Sequence, residues 1–201
     1  MKKPLLYAVI SIVAVLTLTA CGPPKAFDIH YGSDLQKYPN LVRQNTVENY
    51  DEFKKQTWIT GPRLGASGRY QYLRALADGN NSVGFIQLYV YRYDGGHDGY
   101  DFHSAYDLNG QKLEVVKIRY EKDWTENEYW YEGELRHDII HFTVDEAAVT
   151  LKYQDLIKHR NSGLSLKVYG QRANLVIEIP GVYIDDYLGV LEERYNLKGL
   201  K

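Results

Sequence analysis

Sulfur is almost missing from this sequence: its 201 residues include one cysteine, Cys21, and one methionine. A single cysteine excludes an internal disulfide framework and a cysteine-built zinc cage. Charge of one sign is also missing, with 24 Lys and Arg against 26 Asp and Glu, so the clustered positive footprint of a nucleic-acid binder is not there. No phosphate-binding loop occurs, and no Gly-x-Gly-x-x-Gly opens a helix. Nothing in the sequence calls for a cofactor. Phenylalanine and tryptophan are scarce, at 5 and 3, whereas tyrosine reaches 19. The length is enough for one domain with a real core.

The one long apolar run is N-terminal. Lys2 and Lys3 precede it, and it extends over residues 5–18, interrupted only by Ser11 and Thr17. As a helix it would span about 21 Å at about 1.5 Å per residue. A bilayer core is about 30 Å thick, so the run suits a signal h-region better than a membrane span. It ends in Leu18-Thr19-Ala20-Cys21. This resembles the lipobox of bacterial lipoproteins, a leucine and two small residues before a cysteine. The resemblance covers about the first 22 residues. It implies cleavage before Cys21, diacylation of its sulfur and often acylation of its new amine. The partner so implied is membrane lipid, and two or more acyl chains hold a protein stably where one does not. Gly22, in place of an aspartate, implies the outer membrane where the host has two membranes. Cleavage removes Lys2 and Lys3 and so takes the net charge from −2 to −4.

Three segments follow: a signal peptide over 1–20, a lipidated start and tether over 21–40, and a single α+β domain over 41–201. Pro23-Pro24 favours an extended start to the tether. In residues 46–56, Val47, Tyr50 and Phe53 recur every third position, and Asp51 lies four before Lys55, which predicts a short helix. Residues 57–60 read as a strand. Residues 70–77 and 83–93 flank the turn Asp78-Gly79-Asn80-Asn81, and residues 102–108 and 112–121 flank Asn109-Gly110, both hairpin signals. Residues 129–135 and 138–142 supply one or two more strands. Thr143 and Glu146 fit a capping box for a helix reaching Arg160. Strands at 164–168 and 175–179 precede Pro180. Ile184, Tyr187, Leu188, Leu191 and Tyr195 then form one helical stripe, with Asp185 and Asp186 in its first turn. The expectation is a β-meander of about six to eight antiparallel strands, as one sheet or a sandwich, with two helices in the C-terminal half.

Candidate chemistry is thin. Asp94, Asp98 and Asp101 lie on a glycine-rich loop and are weak calcium candidates, since hard cations take oxygen ligands. An EF-hand loop begun at Asp94 fails at position three, Gly96, and at position twelve, Ala105. His137 and His141 are four apart, but on a strand that spacing is about 13 Å at about 3.3 Å per residue, too far for one ion. Ser67 lacks the glycine two residues on that a nucleophile elbow needs. Trp124, Tyr129, Trp130 and Tyr131 cluster with Glu126, Glu128 and Glu132, as a rim or a sheet edge.

The best lead is a face. Tyr89, Tyr91 and Tyr93 alternate on one strand, and Tyr70 and Tyr72 on its neighbour. Packing beneath a helix is the commoner use of such rings, and Phe85 on the same face argues for it. The functional alternative is a partner-binding face for an envelope protein or a glycan. The sequence therefore points first to an envelope lipoprotein that binds or scaffolds, with no motif that demands an enzyme. An envelope hydrolase or glycan-processing enzyme needs a deep pocket with convergent carboxylates or histidines. An immunity or exclusion protein predicts an exposed acidic patch.

Overall fold

The computed structural model describes residues 28–29, 33–37, 40–66, 68–95, 99–198 and 200. The signal run, the lipobox, Ser67 and Asp98 lie outside these residues. No helix among them is long and apolar enough to cross a membrane.

The chain runs β1 (Asp28–Ile29), α1 (Ser33–Lys37), α2 (Leu41–Asn45), β2 (Val47–Asp51), β3 (Gln56–Thr60), β4 (Arg63–Ala66), β5 (Arg69–Asp78) and β6 (Val83–Gly95). It continues with β7 (Phe102–Asp107), β8 (Lys112–Leu113), β9 (Val115–Tyr131), β10 (Glu134–Leu151), α3 (Tyr153–Lys158), β11 (Leu164–Gly170), β12 (Asn174–Ile179) and α4 (Gly181–Arg194). The fold is α+β and mainly antiparallel sheet, as the turn chemistry predicts. The larger sheet has eight strands, in the order β1-β4-β5-β6-β10-β9, with β3 also on β5 and β2 on β3. A second sheet runs β12-β11-β7-β8.

Cross-strand partners share a face, so the pairing sorts the side chains. Leu73, Ala75 and Ala77 of β5, Ile86, Leu88 and Val90 of β6, and Ala147 and Val149 of β10 all belong to one buried cluster. Leu166, Val168, Ile177 and Ile179 of the second sheet and Tyr183, Ile184, Tyr187, Leu188 and Leu191 of α4 complete it. Two pieces of the expected tether are tied to the domain: β1 pairs in parallel with β4, and Leu35 of α1 lies in the core.

Three expectations are corrected. Residues 46–56 form the β2–β3 hairpin and not a helix. The three-residue spacing misled because Phe53 is a turn residue, 99% exposed. Asp51 shapes that turn, its Oδ1 accepting from the backbone N–H of Phe53 and Lys54 at 3.0 Å each. Residues 143–151 are strand, not the first half of a helix. Val144, Ala147, Ala148, Val149 and Leu151 are all buried, because β10 runs inside the sheet between β6 and β9. Its two faces carry similar mixtures, Asp145, Ala147 and Val149 on one and Val144, Glu146 and Ala148 on the other, so no period of two can be read. The helix survives only as α3. Finally, residues 129–135 are not one strand: Glu132 and Gly133, at φ 51° and 83°, make the turn joining β9 to β10. Both central residues of that turn have positive φ, as a tight hairpin requires. A smaller shift concerns α4, which begins at Gly181, so its first turn carries no acid. Asp186 instead receives the backbone N–H groups of Val42 and Arg43 at the start of α2. Burial raises its carboxyl above the ordinary carboxylate range, and these two bonds oppose the rise.

Candidate functional site

The tyrosine face lies on the side of the large sheet opposite the core cluster. Tyr70 pairs with Tyr91 and Tyr72 with Tyr89 across β5 and β6. None of these rings belongs to the core cluster, which occupies the other face with α4. Tyr70, Tyr72 and Tyr91 are half-buried, Tyr93 is 40% exposed, and Tyr89 is buried at 8%. The rings stand in stacks. Tyr70 and Tyr91 have centroids 4.6 Å apart with planes at 7°, and Tyr72 and Tyr89 are 4.7 Å apart at 20°. Tyr70 and Tyr72 are 6.2 Å apart along β5.

Cations complete the stacks. The Arg63 guanidinium lies 4.1 Å from the Tyr70 centroid, and Arg74 lies 4.7 Å from Trp58 and 4.9 Å from Tyr89. Arg74 also donates through Nε and Nη2 to Gln87 Oε1, at 3.1 and 2.9 Å. Tyr89 donates its hydroxyl to Glu146, whose other oxygen is 3.6 Å from Arg119 Nη1. The Nε of Arg63 is buried and has no hydrogen-bond partner among the described residues. Sequence alternation carries a signal for Arg74, two after Tyr72 on the same face. It carried none for Glu146, because residues 143–160 read as helix, and none for Arg119, because its strand reaches this face only through the pairing of β9 with β10.

Burial is the main cause of the perturbed hydroxyls here. It pushes Tyr70 up to about 12 against the opposing pull of Arg63. It raises Tyr72 as well, against Arg74 and Arg63. Tyr89 is raised by burial first and then by its bond to Glu146. Burial lowers Arg74 below the ordinary guanidinium value. At neutral pH the face therefore offers neutral hydroxyl donors beside charged guanidinium groups. The ring faces are largely spent on one another and on the arginines, so the edges and hydroxyls are what remain for a ligand.

Two of the weak metal candidates, Asp94 and Asp101, lie near the far end of β6, beside Asp145. Asp94 is buried and ion-paired with Arg69, and Asp101 is ion-paired with Lys117. The sequence reading missed Asp145, which is buried beside them and accepts from the backbone N–H of Tyr100 at 2.9 Å and Asp101 at 2.8 Å. Burial raises Asp145, these two bonds oppose the rise, and the charges of Asp101 and Asp94 add to it. Among the described residues no three His, Cys, Asp or Glu side chains are grouped to hold a metal. His137 and His141 lie on β10, and His137 Nδ1 is 3.1 Å from Glu128.

A surface cleft of about 420 Å³ is lined by His159, Ser162 and Glu178 among others. Ser162 Oγ is 3.4 Å from His159 Nδ1 and also faces the Gly163 carbonyl at 3.3 Å. A hydroxyl and an imidazole at this distance on an exposed turn lack the close, oriented bond that makes a nucleophile. No protein-family model matches the chain, and no curated protein matches it as a relative.

Proposed function

We propose that this chain is a cell-envelope lipoprotein, held to the membrane by acylated Cys21, that acts as a binding or scaffolding module through its tyrosine face. The observation that carries this is the stacked tyrosine and arginine surface left half-open on the side of the sheet away from α4. A protein partner fits better than a glycan. Sugar stacking needs a free ring face, and here most faces are covered, whereas ring edges, hydroxyls and guanidinium groups suit peptide carbonyls and carboxylates.

The five tyrosines should divide by burial. Tyr91→Ala and Tyr93→Ala should cut in-cell crosslinking to the partner while costing no more than about 1–2 kcal/mol of stability, the larger loss falling on Tyr91, which stacks on Tyr70. Tyr89→Ala removes a buried, hydrogen-bonded ring and should cost about 3 kcal/mol or more in urea unfolding. Unchanged crosslinking in both Tyr91→Ala and Tyr93→Ala, with stability intact, would take the binding role away from this face. A deep pocket for an envelope hydrolase finds no comparable support, and the Ser162–His159 cleft is its best location.

A further inference from the structure

We infer that the outer edge of β9 is an interface with a second copy of this chain, the two β9 strands pairing antiparallel about Trp124. β9 pairs with β10 alone and ends the large sheet, leaving a 17-residue strand with one edge unpaired by any described strand. Pairing of β10 with β6 stops at Phe142↔Gly95. Beyond it, residues 123–131 and 134–142 form a two-stranded arm on the order of 30 Å long. Such a ribbon is marginal alone and gains stability when widened to three or more strands. The arm also fails to hide its apolar side chains. Trp124 is 55% exposed, Trp130 73% and Ile139 62%, and the register puts all three on one face.

Charge pattern selects the occupant and the register. A two-fold antiparallel pair places each residue opposite its reflection through the central one. Centred on Lys122, the pairing sets Glu121 against Asp123; centred on Asp123 or Glu126, it sets a carboxylate against itself. Centred on Trp124 or on Thr125, it brings no like charges together over residues 119–129, and the Trp124 centre sets the exposed indole against itself where the Thr125 centre sets it against Glu126. With the Trp124 centre, Lys122 of each copy faces Glu126 of the other. Trp124 meets Trp124 on the face that also carries Trp130 and Ile139. On the opposite face Arg119 meets Tyr129, a pair suited to cation–π contact. Edge strands usually carry charge to prevent such pairing. Here the charges are spaced so that the strand complements itself. Much of the arm's acidic excess, Glu132, Glu134 and Asp138, sits on the turn and the far strand, away from the shared edge. Screening over about 8 Å at physiological salt reduces its cost.

The two-fold centre supplies the test. Residues directly opposite in a sheet have Cα atoms about 4.5–5.5 Å apart, within disulfide range. Trp124→Cys in the full chain, expressed in cells and oxidised, should give a reducible species of twice the monomer mass. The unsubstituted chain controls for Cys21, and Glu128→Cys, which lies far from its own copy in this register, should stay monomeric. In the Trp124→Cys background, Lys122→Glu sets Glu against Glu twice and should lower the crosslinked fraction about tenfold. Adding Glu126→Lys to that variant should restore it. No dimer from Trp124→Cys would overturn the proposal. So would crosslinks to other proteins only, or a charge swap that fails to rescue.

Discussion

Cys21→Ala should abolish the protein's metabolic labelling with palmitate and leave its signal run uncleaved. The loss of labelling should be close to all-or-none, because the chain has no other thiol to acylate. Each buried CH₂ contributes about 0.8 kcal/mol, so one acyl chain gives marginal, reversible binding and two or more give stable attachment. Losing the sulfur removes every chain that depends on it, and blocks the cleavage that would free an amine for another. The uncleaved precursor would keep residues 1–20 and migrate more slowly. Continued labelling would sink the lipobox reading. An unchanged urea midpoint in the unlabelled variant would separate lipidation from folding. The tyrosine face and the β9 edge can then be tested in the anchored chain, where two faces on one membrane-bound domain meet their partners under confinement.

Local chemistry makes some of this architecture readable and hides the rest. The turns Asp78-Gly79-Asn80-Asn81 and Asn109-Gly110 announced their hairpins, since those residues tolerate the required backbone angles. Asp78 confirms the first by accepting from the backbone N–H of Asn80 and Ser82, each at 2.9 Å. The stripe of α4 was equally plain. What failed was any segment whose environment comes from distant chain. Residues 143–151 read as a helix because Thr143 and Glu146 fit a capping box and the two faces of β10 do not differ in polarity, and only the neighbours β6 and β9 make it a strand. Glu132 concealed the β9–β10 turn, being a poor candidate for positive φ. The tyrosine face illustrates both sides. Alternation along β5 and β6 identified its members. Which face α4 would cover depends on contacts between residues more than 100 positions apart, such as Tyr183 with Leu73 and Pro62. Those contacts leave the tyrosines half-open and put Tyr89 alone deep in the stack.

The same two α4 tyrosines carry the other large expected effect. β5 is flanked on one edge by β3 and then β4, and between them Gly61 and Pro62 leave a break in the pairing. The Tyr183 hydroxyl fills that break, donating to Pro62 O at 2.7 Å and accepting from Leu73 N–H at 3.3 Å. Tyr187 donates to Ile59 O at 2.9 Å. Both rings are fully buried. Tyr183→Phe leaves two buried backbone groups without this partner and should cost about 2–4 kcal/mol, against about 1 kcal/mol for Tyr187→Phe. Gly61→Ala should also destabilise, since its Cβ would fall 2.5 Å from the Tyr183 hydroxyl and 3.3 Å from Leu73 O. Burial holds both phenols well above their ordinary 10.0. In the unfolded chain they ionise near 10.0, so the stabilising difference is complete below that pH and is lost as pH rises beyond it. Two protons released on unfolding give a slope of up to about 2.7 kcal/mol per pH unit above 10. Urea midpoints at pH 8, 10 and 11 should fall steeply for the wild type. They should fall more gently for the Tyr183→Phe/Tyr187→Phe double variant, despite its lower stability at pH 8. Equal slopes in the two proteins would mean that these hydroxyls ionise in the folded state and are not sealed beneath α4.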